Sequence, residues 1–288
     1  MKNTKGILLA GGRGTRLAPI TNVLNKHLIP IYDKPMIYYP LSTLMLCGIR
    51  QIALITNPDE KQIFHKLLGD GSRFGIDITY LIQDKPNGLP EAFTIAEDFL
   101  NGSKCVLILG DNLLIGQGLG KTLQEHLNKD GASILAFPVN NPQDYGVVEF
   151  DSYGNAKSLI EKPRNPKSNY AVPGLYFVDE NVASYAAKLK PSARGELEIT
   201  DLLGEYLKRN KLFVTKVSRG TGWMDAGTVD SLYTASELVR VLQSRQGFRF
   251  NVPEEIAYNN GWIESNQLKS IAKEYSNTSY GAYLLTLL

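Results

Sequence analysis

The chain has 288 residues, 43% of them hydrophobic, which is enough to bury a full core as one large α/β domain or a domain with an appendage and excludes a small cross-linked module. Its 31 basic and 29 acidic residues leave a net charge of +2, without the one-sided basic excess that nucleic-acid binding demands, so any anion site must be local. The two cysteines, Cys47 and Cys105, sit in apolar runs as small buried hydrophobes, a usage that fits a reducing cytoplasm; no targeting signal and no membrane-spanning stretch is expected.

The first apolar run, Gly6-Ile7-Leu8-Leu9-Ala10, reads as a buried strand that opens into Gly11-Gly12-Arg13-Gly14-Thr15-Arg16-Leu17. Three glycines in four positions let backbone N–H groups approach phosphate oxygens, with Arg13, Arg16 and Lys26 as countercharge, and a tight turn with solvated arginines is the alternative. Leu17 occupies the third-glycine position of the dinucleotide fingerprint, and the phosphate-loop signature is absent, so neither motif applies. Pro35 is read as the start of a helix running from Met36, and Asn57-Pro58-Asp59-Glu60 as the opening of the next, with Asn57 as cap candidate. Strands over Gln51 to Thr56, Ile76 to Ile82 and Lys104 to Leu109 alternate with helices from Met36, Lys61, Glu91 and Leu119, which predicts a parallel sheet with crossover helices. From Ala132 the pattern changes to strands, over Ala132 to Val139, Gly146 to Phe150, Ala156 to Ile160 and Gly174 to Val178. Beyond Gly227 the chain reads as helical, from Thr228 to about Gln246 and again from Glu254 to Leu288. The expected organisation is a catalytic region over 1–227, with halves meeting near 131/132, followed by a helical extension over 228–288. His27, His65 and His126 match no zinc spacing, and His65 and His126 are read as helix-surface residues.

Candidate chemistry clusters at strand ends. Asp111 follows Val106-Leu107-Ile108-Leu109-Gly110, and Asp225 lies in Gly222-Trp223-Met224-Asp225-Ala226-Gly227, so both are metal-ligand candidates; two carboxylates suit a magnesium ion bridging phosphates, and a turn or cap aspartate is the alternative for Asp111. Trp223 offers a ring to stack on, or a core side chain. Glu161 and Lys162 close a strand before Pro163, as an acceptor for sugar hydroxyls and a cation for a sugar phosphate, or as an exposed ion pair. Gln83 ends a strand ahead of a Gly88 turn, where its amide presents both donor and acceptor to a base edge or to solvent.

Several segments together resemble the sugar nucleotidyltransferase family, and within it the glucose-1-phosphate thymidylyltransferases. They are GILLAGGRGTRL (6–17), NKHLIPIYDKPMIYYPLSTLM (25–45), LLGDGSRFGI (67–76), LGDN (109–112), YGVVEFD (145–151), EKPRNPKSNYAVPGLYF (161–177), ARGELEITD (193–201) and WMDAGT (223–228). The resemblance implies a Rossmann-like αβα sandwich with a mixed central sheet, Mg²⁺ dependence, a homotetramer, and dTTP and glucose 1-phosphate as substrates. It implies a nucleotide site at Leu9, Gly11, Gly12, Gly14, Thr15, Gln83 and Gly88, and phosphate contacts from Arg16, Lys26 and Lys162. Asp111 and Asp225 would hold magnesium, and Asn112, Gly146, Glu161, Lys162, Val172 and Trp223 would line the sugar-phosphate pocket. A glycosyltransferase reading lacks the D-x-D element, since Asn112-Leu113 follow Asp111; a regulatory paralogue without turnover would not need Arg16, Lys26, Asp111 and Asp225. The chain departs from the family pattern at His27, where Gln is usual, at Pro90-Glu91, where Ala-Gln usually follows Gly-Leu, and at Tyr258-Asn259, where a basic residue is usual near a second, regulatory nucleotide site flanked by Arg219 and Glu255.

Overall fold

The computed structural model describes residues 4–288; residues 1–3 lie outside the described part. In the first half, β1 (Thr4–Leu9), the hairpin β2 (Pro30–Ile31) and β3 (Lys34–Pro35), α1 (Tyr38–Leu46), β4 (Gln51–Thr56), α2 (Lys61–Leu68), β5 (Asp77–Ile82), α3 (Glu91–Ile95), α4 (Glu97–Leu100), β6 (Lys104–Leu109), β7 (Asn112–Ile115) and α5 (Leu119–His126) follow in order. The second half carries β8 (Ala132–Pro138), β9 (Gly146–Phe150), β10 (Ala156–Glu161), β11 (Tyr170–Ala171), β12 (Leu175–Val178), α6 (Val182–Ala186), α7 (Ile199–Lys208), β13 (Leu212–Lys216) and β14 (Gly222–Asp225). Four helices close the chain: α8 (Val229–Gln246), α9 (Pro253–Asn259), α10 (Ser265–Glu274) and α11 (Ser279–Leu285).

Near-continuous apolar runs such as Ile52-Ala53-Leu54-Ile55 and Val106-Leu107-Ile108 are what a sheet covered on both faces requires. They form the centre of a ten-stranded mixed sheet in the order β10-β9-β11-β8-β12-β6-β1-β4-β5, with β13 beside β8. Strands β6, β1, β4 and β5 are parallel, whereas β12 runs antiparallel to both β6 and β8. One core layer packs Leu8, Leu54, Val106 and Ile108 against α1 and the C-terminal helices; the other packs Ile7, Ile55 and Leu107 against α3, α6 and α7.

Sequence and structure differ at four places. Pro35 does not start a helix: it pairs with Pro30 in the β2–β3 hairpin, and the N–H groups of Met36 and Ile37 are taken by Ile29 O and His27 O, so α1 begins only at Tyr38. Asn57 caps nothing with its side chain; a single 3₁₀ turn over Pro58–Glu60 leads into α2. The last helical stretch divides into three, the first break being turned by Gly261 at φ 67°. Glu254 on α9 is fully buried and accepts from the Tyr280 hydroxyl at 2.7 Å, which ties α9 to α11; burial raises its pKa.

His126 is the fourth. It lies in the core with its Nδ1 2.5 Å from Ser133 Oγ and its ring stacked on Phe177, whereas His65 is exposed as expected. Burial, followed by the charge of Lys129, lowers its pKa from 6.5 to about 4. Below pH 6.5 the unfolded chain binds a proton that the folded chain refuses, so the contribution is intact above 6.5 and erodes by about 1.4 kcal/mol per pH unit until about 4. Denaturant unfolding at pH 7.5 and 5.0 should therefore show His126→Asn losing roughly 2 kcal/mol less than the parent chain on acidification. An equal pH response in the two proteins would show that His126 is not held neutral.

Candidate active site

The carboxyl ends of β1 and β6 open on one side of the sheet, and the glycine loop after β1 wraps the side chain of Lys26. Gly14, at φ 63°, stands ahead of the 3₁₀ turn Thr15–Leu17, and a Cβ there would lie 2.9 Å from Lys26 Cβ; one at Gly12 would lie 3.6 Å from its Nζ. Lys26 Nζ donates to Asp111 Oδ2 at 2.5 Å. Asp225 is brought to the same place by a short antiparallel ladder in which Asn112 faces Asp225 and Leu114 faces Trp223, reinforced by Ala226 N donating to Asp111 O at 3.0 Å.

The two carboxylates are electrostatically unlike. Burial alone would raise the Asp111 pKa, but the ammonium of Lys26 holds it well below the ordinary carboxylate range. Asp225 is pushed up to about 6, by burial first and then by the charge of Asp111, and its Oδ1 is buried without a hydrogen-bond partner. A Cβ on Gly227 would meet Arg16 Nη2 at 2.7 Å and Asp225 Oδ1 at 2.8 Å, so Gly227 leaves room for both groups. Among the described residues no cluster of three or more His, Cys, Asp and Glu could hold a metal. A hard cation that takes two carboxylates and completes its shell with phosphate oxygens and waters fits this donor set.

Beside the carboxylates lies a cavity of about 190 Å³ lined by Arg16, Asp111, Asn112, Gly146, Glu161, Lys162, Val172, Trp223 and Asp225, all expected from the sequence. Asn112 is heavily engaged: its Oδ1 accepts from Trp223 Nε1 at 2.6 Å and Gly174 N at 2.9 Å, and its Nδ2 donates to Asp111 Oδ1 at 3.0 Å. A hydrogen-bonded chain thus runs from Trp223 through Asn112 and Asp111 to Lys26. Glu161 has its pKa raised by burial and by the neighbouring Glu198. Lys162 is exposed at φ 42°, with its N–H on Tyr145 O at 3.0 Å.

Gln83 and Gly88 do not line that cavity, although Leu89 beside Gly88 does, nor do Gly11, Gly12, Gly14, Thr15 and Lys26. Gln83 is buried and faces Gly11, whose absent Cβ would lie 3.2 Å from Gln83 Oε1. Leu9 points into the core, and its carbonyl accepts from Gly110 N at 2.9 Å.

A model of the nucleotidyl transferase family matches residues 5–241. The chain belongs to that family. It is 52% identical to a glucose-1-phosphate thymidylyltransferase of Mycobacterium tuberculosis over 99% of both chains, and 49% identical to one of Xanthomonas campestris over 100% of this chain and 98% of the other. Among solved structures, it resembles a Bacillus anthracis protein described as a glucose-1-phosphate thymidylyltransferase and solved with a sucrose: 43% identity, TM-score 0.76, covering 82% of this chain and 95% of that one. A UDP-glucose pyrophosphorylase complexed with UDP-glucose, 23% identical, shares the fold at TM-score 0.74, covering 84% of this chain and 100% of that one.

In this nucleotidyl transferase the cavity also uses residues that sequence reasoning missed: Asp144, Tyr145, Tyr176 and Thr200. Tyr145 packs edge-on to Trp223 with ring centroids 5.0 Å apart. The only sequence signal of Tyr145, Tyr176 and Thr200 is membership in the stretches YGVVEFD, YAVPGLYF and ARGELEITD, which give no role to the individual side chains, and Asp144 lies just outside the first of them.

Proposed function

We propose that this nucleotidyl transferase joins α-D-glucose 1-phosphate to dTTP, giving dTDP-glucose and pyrophosphate. The observation that carries the reading is the pair Asp111 and Asp225, with an unpartnered buried Oδ1 on Asp225 and a lysine and an arginine against them, placed between a glycine loop and a polar cavity of monosaccharide scale. Relatives about half identical over essentially the full chain carry that enzyme's name.

An oxygen of the sugar phosphate attacks the α-phosphorus of the nucleotide, the bond to the bridging oxygen of the β-phosphate breaks, and pyrophosphate leaves with that electron pair. The nucleophile is already an anion, so no side chain has to remove a proton. Asp111 and Asp225 would hold Mg²⁺, which when bound supplies positive charge to the phosphate oxygens. Lys26, released from Asp111, and Arg16 neutralise charge on the triphosphate, while Lys162 meets the sugar phosphate and Glu161 accepts from sugar hydroxyls. The backbone at Gly11, Gly12, Gly14 and Thr15 cradles phosphates, and Gln83 and Gly88 face the base. Gly146, Val172, Asn112 and Trp223 shape the sugar pocket. Losing one such preorganised contact costs about 3 kcal/mol in the barrier. The test is pyrophosphate release from dTTP that requires both glucose 1-phosphate and Mg²⁺; no release with both present would overturn the reading.

The same resemblance supports a cytoplasmic homotetramer, a catalytic region over 1–227 and a C-terminal extension with a regulatory role. No described helix is long and apolar enough to cross a membrane. A second cleft of about 660 Å³ is lined by Arg249, Glu255 and Asn259 among others, while Arg219 does not line it. Arg249 is paired with Asp33, Glu255 accepts from Tyr283 at 2.9 Å, and Asn259 carries no charge, which leaves the exposed Lys121 as the other cation on the lining. Inhibition by dTDP-L-rhamnose should accordingly be shallow, and Asn259→Arg should tighten it by about one power of ten or more, read from initial rates.

A further inference from the structure

In the free chain both oxygens of Asp111 are taken. Oδ2 accepts from Lys26 Nζ at 2.5 Å, and Oδ1 accepts from Asn112 Nδ2 at 3.0 Å. The second donor is fixed, because Asn112 Oδ1 accepts from Trp223 Nε1 and Gly174 N and the amide cannot turn without losing both. The first donor sits on a stem that can swing. The backbone around Lys26 is held, with His27 N donating to Asn25 Oδ1 at 2.7 Å and Ile37 N to His27 O at 2.9 Å. Its side chain, however, runs past the glycine loop, where a Cβ at Gly12 would lie 3.5 Å from Lys26 Cε and 3.6 Å from Nζ. The ammonium therefore stands between Asp111 and a stretch of backbone open to phosphate. Asp225 is the complement, since its Oδ1 is buried with no hydrogen-bond partner.

We propose that Lys26 is a tethered stand-in for the metal: in the free chain its ammonium occupies Asp111, and a divalent cation gains that carboxylate only when the phosphates of the nucleotide draw the ammonium away. The inference rests on the metal reading of Asp111 and Asp225 under the proposed function, and it sets an order on that reading. Nucleotide enters first or together with the metal, and metal never enters alone. A hard divalent cation takes carboxylate oxygens at about 2.0–2.1 Å. With the ammonium in place it would find the free oxygen of Asp225 and a like charge about 4 Å away, a repulsion that lowers affinity by about tenfold or more even at an effective dielectric near that of a protein surface. The exchange keeps the site balanced. Before it, the ammonium neutralises Asp111; after it, the metal is shared by two carboxylates and the phosphates, and the ammonium has traded one anion for another. No covalent bond changes and no proton moves.

The experiment titrates the full chain, Lys26→Met and Arg16→Met at pH 8 with Mn²⁺ alone, followed by the paramagnetic resonance of the free ion, and with dTTP in the presence of a chelator, followed by calorimetry. The parent chain should bind no Mn²⁺ below about 1 mM and yet bind dTTP without metal. Lys26→Met should tighten Mn²⁺ by about tenfold or more and weaken metal-free dTTP by about tenfold. A merely structural role for Lys26 would weaken both, so the opposite signs are the signature, and no gain in Mn²⁺ affinity overturns the proposal. Arg16, whose charge also reaches Asp225, is the control, because Arg16→Met removes an equal charge without freeing an oxygen of Asp111. It should tighten Mn²⁺ by no more than about threefold, and a gain equal to that of Lys26→Met would reduce the effect to net charge and overturn the proposal. A parent chain that binds Mn²⁺ alone at tens of micromolar overturns it too, and that measurement requires no variant to fold. Failure of the functional reading is separate: dTTP would then bind the parent chain neither with nor without Mg²⁺, while the Mn²⁺ titrations remain readable.

Discussion

Asp225→Asn should reduce turnover by about a hundredfold or more and at the same time stabilise the metal-free protein. The two effects have one cause. In the free protein the Asp225 carboxylate is buried beside that of Asp111, and its pKa of about 6 records that the charged form is disfavoured. With the folded pKa above the unfolded 3.8, folding takes up a proton between these values, so the charge burdens the fold at pH above about 6 and is relieved below it. An amide of the same shape removes the repulsion, a gain on the order of 1 kcal/mol at pH 8. Activity moves the other way because the group that the fold tolerates poorly is the one that, in the proposed mechanism, a cation and its phosphates require. Asp111→Asn should lose turnover equally but destabilise, since it strands Lys26, 12% exposed, without its partner. Rates at limiting Mg²⁺ and thermal melts without metal check both; near-normal turnover in either variant would remove that residue from the metal site.

Gly88→Ala should lower kcat/KM by more than tenfold and the melting temperature by several degrees. At φ 122° an alanine is strained, and its Cβ would lie 2.2 Å from Leu197 O and 2.6 Å from Leu197 N. Both are backbone atoms, held by a parallel bridge between Gly88 and Leu197 and by Leu197 N on Asn87 O at 2.8 Å. Residue 197 leads into Ile199 and Thr200, which line the cavity beside the carboxylates, so on the proposed function a displacement there should raise KM for nucleotide and sugar phosphate together. Gly204→Ala, on α7 with nothing within 4 Å of the new Cβ, is the control, and should stabilise by about 0.5–1 kcal/mol without changing the rate. Equal behaviour of the two variants would refute the steric argument.

What the sequence discloses is what lies close along the chain. The glycine loop after β1, the acid after β6 and the β4, β6 and β9 boundaries were all legible, because a buried parallel strand is a short apolar run ended by turn residues. The β7–β14 ladder was not. Asn112-Leu113-Leu114-Ile115 reads as more of the same apolar run, and nothing local says that it pairs with Gly222-Trp223-Met224-Asp225. Yet that pairing is what sets Asp225 beside Asp111. The Lys26–Asp111 bond is likewise a tertiary fact, invisible to periodicity. The sequence puts His126 at the surface because a lone histidine at a helix end shows no sign of the Ser133 and Phe177 that receive it. Pro35 misleads because a proline that suits a first helical turn suits a hairpin edge equally.

The hydrogen bond from the Trp223 indole to Asn112 also makes the centre observable by light. The chain has two tryptophans, and the other, Trp262, sits over Arg50 among the C-terminal helices. With Trp262 replaced by phenylalanine, a single indole remains, flanked by Phe137 and Tyr145 and wired through Asn112 to the acid that holds Lys26. Its emission would follow, on the time scale of mixing, the moment at which that lysine leaves the carboxylate.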